Sequence, residues 1–324
     1  MLSATLVGMA TEKQPNLASG VYAALATPRR SASIDADAAG LLDYQDVIIQ
    51  AGIDGLVLFG STGEFIHYDV TERMRVVILA IRRSRIPVLV NVSHSTLAGA
   101  MDLAENAIKA GAAGVLLMPP YFYRYPDEQI LAFYEQFVKE IERRIPIYLY
   151  NLPAFTNPIS AGLADRLLRS GDFAGIKDSS GDWRMFEVLS SLHSQFPFQL
   201  LVGSEELYLR ASLAGADGIV SGVAAAVPEL LVALQRALRS ADTDRAGRLN
   251  ARLDEFVEYV GKFPATVAIK QAGVARGWKL NQVAIPFDED MSADIIAFHH
   301  WARGWLPAVL SECAEPAGAR SSQA

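Results

Sequence analysis

Apolar positions along the chain fall into short unbroken runs, and between these runs they recur every three or four residues. Unbroken Val, Leu and Ile without alternation predicts parallel strands covered on both faces, and the longer periodic stretches predict amphipathic helices. Three segments echo one another: AGIDGLVLFG at 51–60, AGAAGVLLMP at 110–119 and AGADGIVSG at 214–222. Each is an Ala-Gly helix ending, a short turn and a buried run, and glycine suits the left-handed position after a helix. Self-similarity of this kind predicts a repeated strand–helix unit.

Filling the gaps gives candidate strands at 21–26, 56–60, 87–92, 114–118, 146–150, 175–177, 199–203 and 218–221. Helical patterns separate them, for example at 69–83, 98–110, 127–144 and 161–169, with Asp69, Asp127 and Ser160 as capped entries. Eight alternating strands and helices predict an α/β fold of the (β/α)8 TIM barrel type, with a doubly wound open sheet as the alternative. After Pro228 the strands stop, and from 242 to 310 the pattern is mostly helical. The expected layout is an N-terminal segment 1–19, a barrel 20–240, a C-terminal helical extension 241–312 and a flexible tail 313–324. The stretch 211–234 is apolar enough to evoke a membrane span, but Asp217, Pro228, Glu229 and three glycines argue against a continuous helix.

Composition narrows the partners. Of 324 residues, 51% are hydrophobic and 20% charged, ordinary globular usage. With 29 Lys+Arg against 36 Asp+Glu, the net charge of −7 offers no concentrated basic surface, so no nucleic-acid partner is expected. The mean hydropathy of +0.19 fits strands buried on both faces. A single cysteine, Cys313, excludes an internal disulfide framework and a cysteine-based zinc site, and fits a reducing, cytoplasmic setting. The opening MLSATLVGMA lacks a basic leader, so neither export nor a membrane partner is expected.

Barrel chemistry sits where strands end at the C-terminal face. The second strand ends in GSTGE (60–64), the fifth in YNLP (150–153), the sixth in GIKDSSGD (175–182), the seventh in GSEE (203–206) and the eighth at Ser221. Lys177 closes a buried strand, which is costly unless the amine has a chemical role or an ion-pair partner such as Glu205 or Asp178. An ordinary lysine is neutral only about once in a thousand at neutral pH, and burial would raise that fraction and expose the nucleophile. Tyr150 ends the neighbouring strand, either as a packed aromatic or with its phenol beside Lys177. GSTGE offers backbone N–H groups and two hydroxyls to an anion, but it lacks the spacing of a Walker A loop or a dinucleotide fingerprint. His67, His94, His193, His299 and His300 lack metal-ligand spacing, so no metal is expected.

Together, GSTGE, YNLP and GIKDSSGD resemble the dihydrodipicolinate synthase/N-acetylneuraminate lyase family, over a span from about Gly20 to the helices after Lys262. The resemblance implies a barrel with a C-terminal helical domain, assembled as a homotetramer of two dimers. It also implies metal-independent class I chemistry on pyruvate or a 2-keto acid, with no cofactor beyond a covalent imine to Lys177. It makes Lys177 the Schiff-base lysine and Tyr150 the proton shuttle, with Ser61 bonded to Tyr150. Ser61, Thr62 and Gly60 would hold the substrate carboxylate, while Glu64 would support the loop.

Departures from the synthase pattern are informative. Phe155 stands where the synthases carry a carboxylate-binding arginine, and a phenyl ring cannot replace a bidentate guanidinium. Phe122 stands where the synthases borrow a tyrosine from a neighbouring subunit, leaving Tyr121 or Tyr123 to compensate. These changes favour an aldolase or dehydratase for a 2-keto-3-deoxy sugar acid, with Phe155, Ser204, Glu205 and Ser221 around the distal end. The alternatives are N-acetylneuraminate lyase or dihydrodipicolinate synthase activity, and more remotely a non-catalytic barrel that binds a keto acid.

Overall fold

The computed structural model describes residues 20–30, 33 and 35–314. Eight parallel strands close into a barrel in chain order: β1 (Val21–Ala24), β2 (Gly55–Leu58), β3 (Val88–Asn91), β4 (Gly114–Leu117), β5 (Ile147–Asn151), β6 (Gly175–Asp178), β7 (Gln199–Val202) and β8 (Gly218–Ser221). β1 pairs with β2 on one side and β8 on the other, which closes the sheet. Helices α1 (Ala38–Gln50), α2 (Val70–Arg83), α3 (Leu97–Ala110), α4 (Asp127–Ile141), α5 (Ala161–Arg169), α6 (Trp183–His193), α7 (Tyr208–Leu213) and α8 (Pro228–Arg239) alternate with them. Apart from Gln199, every strand residue is buried, the physical reason for the unbroken apolar runs. Closure demands small residues at the seam: a Cβ on Gly218 would sit 2.2 Å from the Gly20 carbonyl oxygen.

Most strands are shorter than the runs that predict them, whereas β8 matches, β5 sits one residue later and β6 extends one residue further, to Asp178. Phe59 takes a left-handed φ of 55°, ending β2 two residues before Gly60. Asp69 and Ser160 cap α2 and α5 as expected, accepting from Glu72 N at 2.7 Å and Leu163 N at 3.1 Å. Asp127 does not cap α4. It is the first helical residue after Pro126, and its carboxylate accepts a hydrogen bond from the Ser160 hydroxyl instead. The stretch 211–234 breaks into the end of α7, β8, a 3-10 turn and the start of α8. No helix among the described residues is long and apolar enough to cross a membrane.

Beyond α8 come α9 (Thr243–Val260), α10 (Ala265–Ala275) and α11 (Glu289–Cys313). An aromatic seam joins α9 to α11: Tyr259 stacks on Trp301 at 4.5 Å, and Trp301 on Trp305 at 5.0 Å. Arg276, capping α10, reaches Glu229 on α8 through two hydrogen bonds of 2.8 and 2.7 Å. The expected segment 1–19 and the tail from 315 lie outside the described residues, whereas Cys313 is the last residue of α11.

Candidate active site

Tyr150 on β5 and Lys177 on β6 are cross-strand partners in the parallel ladder, so their side chains share a face. Tyr150 has no exposed surface and Lys177 is 4% exposed, with its Nζ 3.9 Å from the centroid of the Tyr150 ring. The Ser61 hydroxyl lies 3.3 Å from the Tyr150 hydroxyl. Burial, the largest single influence, pushes the Tyr150 phenol up, and the adjacent Lys177 ammonium opposes it. With hydrogen bonding from Lys177 and Ser61, the charge holds the phenol below the usual tyrosine value.

The expected ion-pair partners of Lys177 are engaged elsewhere. Asn151 Nδ2 and Ser180 Oγ each donate to the Asp178 carboxylate at 2.7 Å. Burial still pushes that carboxyl up, against those hydrogen bonds. Asn151 also accepts from Ile159 N at 3.0 Å, fixing the end of β5 to that of β6 and to the following loop. Glu205 Oε1 accepts from Ser221 Oγ at 2.7 Å and from Val223 N at 3.2 Å.

Above Tyr150 and Lys177 opens a cavity of about 400 Å³. Ser61, Thr62, Phe155, Ser204 and Glu205 line it, and so does Ser179. The Ser179 hydroxyl is buried without a hydrogen-bond partner. Gly203 leaves room for this arrangement, because a Cβ there would lie 1.9 Å from Ser179 Oγ and 3.0 Å from Lys177 Cε. Two expected contacts are absent from the lining. The Gly60 carbonyl is consumed in closing the GSTGE turn, accepting from Gly63 N at 3.0 Å. Ser221 has no exposed surface, and its hydroxyl both donates to Glu205 and accepts from Ala224 N at 3.0 Å.

Phe155 is 71% exposed at the cavity rim. Phe122, at φ 81°, is 86% exposed. Tyr121 turns inward to meet Phe65 edge-on at 5.6 Å, and neither Tyr121 nor Tyr123 lines this cavity. Glu64 takes a left-handed φ of 54° and forms a buried ion pair with Lys270 on α10. Arg29 lies 3.8 Å from the same carboxylate.

Sequence reasoning passed over three features. Ser179 was accessible, since it stands two residues after Lys177, where strand alternation returns to the same face. Lys270, the partner of Glu64, carries no local signal. Nor do Val257, Val260 and Phe263, which the C-terminal segment contributes to the cavity wall.

Residues 17–294 match the dihydrodipicolinate synthetase family. A 4-hydroxy-tetrahydrodipicolinate synthase of Methanothrix thermoacetophila is 32% identical over 265 residues, covering 80% of this chain and 88% of that protein. An Escherichia coli protein named probable 2-dehydro-3-deoxy-D-pentonate aldolase YjhH is 30% identical over 225 residues, covering 67% and 73%. Among solved structures, the pyruvate complex of YagE, a prophage protein of Escherichia coli K12, superposes with a TM-score of 0.80. It is 26% identical, covering 88% of this chain and 98% of that one.

Proposed function

The chain belongs to the dihydrodipicolinate synthetase family, and within it we propose a class I, metal-independent lyase that cleaves a 2-keto-3-deoxy sugar acid to pyruvate and an aldehyde. The juxtaposition of Lys177, Tyr150 and Ser61 in one buried cluster carries this reading. The Lys177 amine attacks the keto carbon, C2, takes up one proton and loses water, giving a protonated imine. The Tyr150 phenolate then takes the proton of the C4 hydroxyl. The C3–C4 bond breaks, its electron pair moves into the enamine, and the aldehyde departs. C3 regains the proton from Tyr150, and water hydrolyses the imine to release pyruvate and the free amine. Ser61 and Thr62, with the backbone N–H groups of their loop, hold the substrate carboxylate.

Support for a sugar acid comes from the hydroxyls and the carboxylate of Ser179, Ser204 and Glu205 around the cavity, and from likeness to the pentonate aldolase. Glu205 would read distal hydroxyls, held in place by Ser221. Phe155 supplies no cation for a second carboxylate. We further infer a homotetramer in a cytoplasmic setting; Phe122 and Tyr123, packed edge-on at 5.0 Å and exposed, offer apolar surface for such a contact.

The test is incubation with pyruvate and borohydride, which should leave a reduced three-carbon adduct on the peptide bearing Lys177. The same protein should release pyruvate from at least one 2-keto-3-deoxy sugar acid. An unmodified Lys177 would overturn the mechanism and leave a non-catalytic keto-acid-binding barrel in its place.

A further inference from the structure

The two parts of the chain that line the cavity differ in chemistry: the barrel brings polar and apolar side chains, the C-terminal helices apolar ones only. The barrel contributes the hydroxyls of Ser61, Ser179 and Ser204 and the carboxylate of Glu205, interspersed with apolar Leu152, Val220 and Val223. The C-terminal segment contributes only apolar side chains to the lining: Val257 and Val260 near the end of α9, Phe263 after it, and Ala268 and Ile269 on α10. This part of the lining is braced from behind. Phe263 meets Phe298 of α11 edge-on at 5.9 Å, and Tyr259, between Val257 and Val260, stacks on Trp301.

Charge in the lining is sparse. Among the described residues that line the cavity, Lys177 is the only cation and Glu205 the only anion. Once Lys177 becomes an imine, its charge belongs to the reacting centre. A second anion on the substrate would face Glu205 with no cation to compensate it. A distal hydroxyl laid against Val257, Val260 and Phe263 would lose water without gaining a partner, whereas a methyl group gains burial there.

We propose that the preferred substrate carries one anionic group only and ends in an apolar group seated on the wall formed by Val257, Val260 and Phe263. This rests on the lyase reading above and specifies its substrate class: an unphosphorylated 2-keto-3-deoxy sugar acid that is also deoxygenated at its terminus. Its C4 and C5 hydroxyls face the serines and Glu205, and its terminal methyl faces the helices. Cleavage between C3 and C4 of the six-carbon member yields pyruvate and lactaldehyde, which together contain all its atoms.

The reverse reaction tests this on the intact protein, with pyruvate and three acceptors: lactaldehyde, glyceraldehyde and glyceraldehyde 3-phosphate. Lactaldehyde should exceed glyceraldehyde in kcat/KM by about tenfold, the usual effect of one group in an apolar pocket. It should exceed the phosphate by about a hundredfold, because the phosphate also meets Glu205 unpaired. Val260→Thr, nearly the same shape with a hydroxyl in place of one methyl, should narrow the lactaldehyde preference while pyruvate trapping at Lys177 stays intact. Equal use of glyceraldehyde or its phosphate, with Lys177 still trapping pyruvate, overturns the inference and spares the lyase reading. Failure of Lys177 to trap pyruvate overturns both. If Val260→Thr proves unstable, Phe263→Tyr places a hydroxyl on the same wall, and an unchanged preference in that variant counts against the inference.

Discussion

Lys270 forms a fully buried ion pair with Glu64, a residue 206 positions earlier in the chain, and so fastens α10 to the loop that carries Ser61 and Thr62. Its Nζ also donates to the Gln282 carbonyl at 3.3 Å. Glu64 N in turn donates to the Ser61 carbonyl at 3.0 Å, so the pair lies one hydrogen bond from a cavity-lining residue. Burial pushes the Lys270 ammonium below the ordinary lysine value, and Glu64 limits that fall. Removing Glu64 strands the Lys270 charge in the interior, which typically costs about 3–5 kcal/mol, whereas removing Lys270 leaves Glu64 with Arg29 at 3.8 Å. Glu64→Gln should therefore lower stability by about that much and Lys270→Met by less, read from urea unfolding. The double variant should cost less than the sum of the two, by about 0.5–3 kcal/mol. Additive losses would mean that the two residues act independently. Both single variants should also raise KM for pyruvate, because the Ser61–Thr62 loop loses its anchor.

Tyr150 should stand out in a phenolate titration. Burial pushes Tyr22 and Tyr208 up to about 12, and Tyr150 is just as deeply enclosed. Only the neighbouring charge and hydrogen bonds bring Tyr150 below the usual value. Lys177→Met removes the charge and leaves the burial, so the Tyr150 transition should move to higher pH. The wild-type minus variant difference in phenolate absorbance should show one phenol ionising earlier in the wild type. Superimposable curves would show that Lys177 does not govern this phenol. Tyr150→Phe should keep pyruvate trapping yet lose about 10²–10⁴-fold in turnover, the range for a general acid–base group.

The barrel was legible because strands buried on both faces leave unbroken apolar runs, and AGIDGLVLFG, AGAAGVLLMP and AGADGIVSG repeat the helix-to-strand junction. Element ends were less legible. Leu25 and Ala26 are as apolar as β1 but lie beyond it, since hydropathy reports burial and not ladder pairing. Lys177, Tyr150, Ser61, Thr62 and Glu205 reach the cavity from strand-end motifs, whose position alone implies the mouth of a barrel. Ser221 also ends a strand, yet it faces Glu205 and not the cavity, a one-residue difference in side-chain direction that motif reading does not resolve. The apolar wall was illegible for another reason: Val257, Val260 and Phe263 look like any helix core until α9 is placed over the barrel.

Ser221 makes a further prediction through Glu205. With the Ser221 hydroxyl removed, Glu205 Oε1 keeps only the 3.2 Å bond from Val223 N. Ser221→Ala should raise KM for a polyol substrate by about tenfold, corresponding to one hydrogen bond to a charged group. Glu205→Gln should do the same, and neither should change pyruvate trapping. A fall in kcat with KM unchanged would instead place Glu205 in the chemical step.

The site should also reject an aldehyde that carries a second carboxylate. Condensation of pyruvate with aspartate semialdehyde needs a cation for the second carboxylate, and Phe155 at the rim supplies only a ring that is 71% exposed. Lys177 cannot serve, because it is consumed by pyruvate, and Glu205 would repel the incoming acid. The protein should therefore show negligible condensation with aspartate semialdehyde under conditions in which Lys177 traps pyruvate. Phe155→Arg should lower KM for that aldehyde by about tenfold or more, the effect of one charged hydrogen-bond pair, with little stability change at so exposed a position. Robust condensation by the wild type would show that a carboxylate finds its cation elsewhere, and the argument from Phe155 would fall.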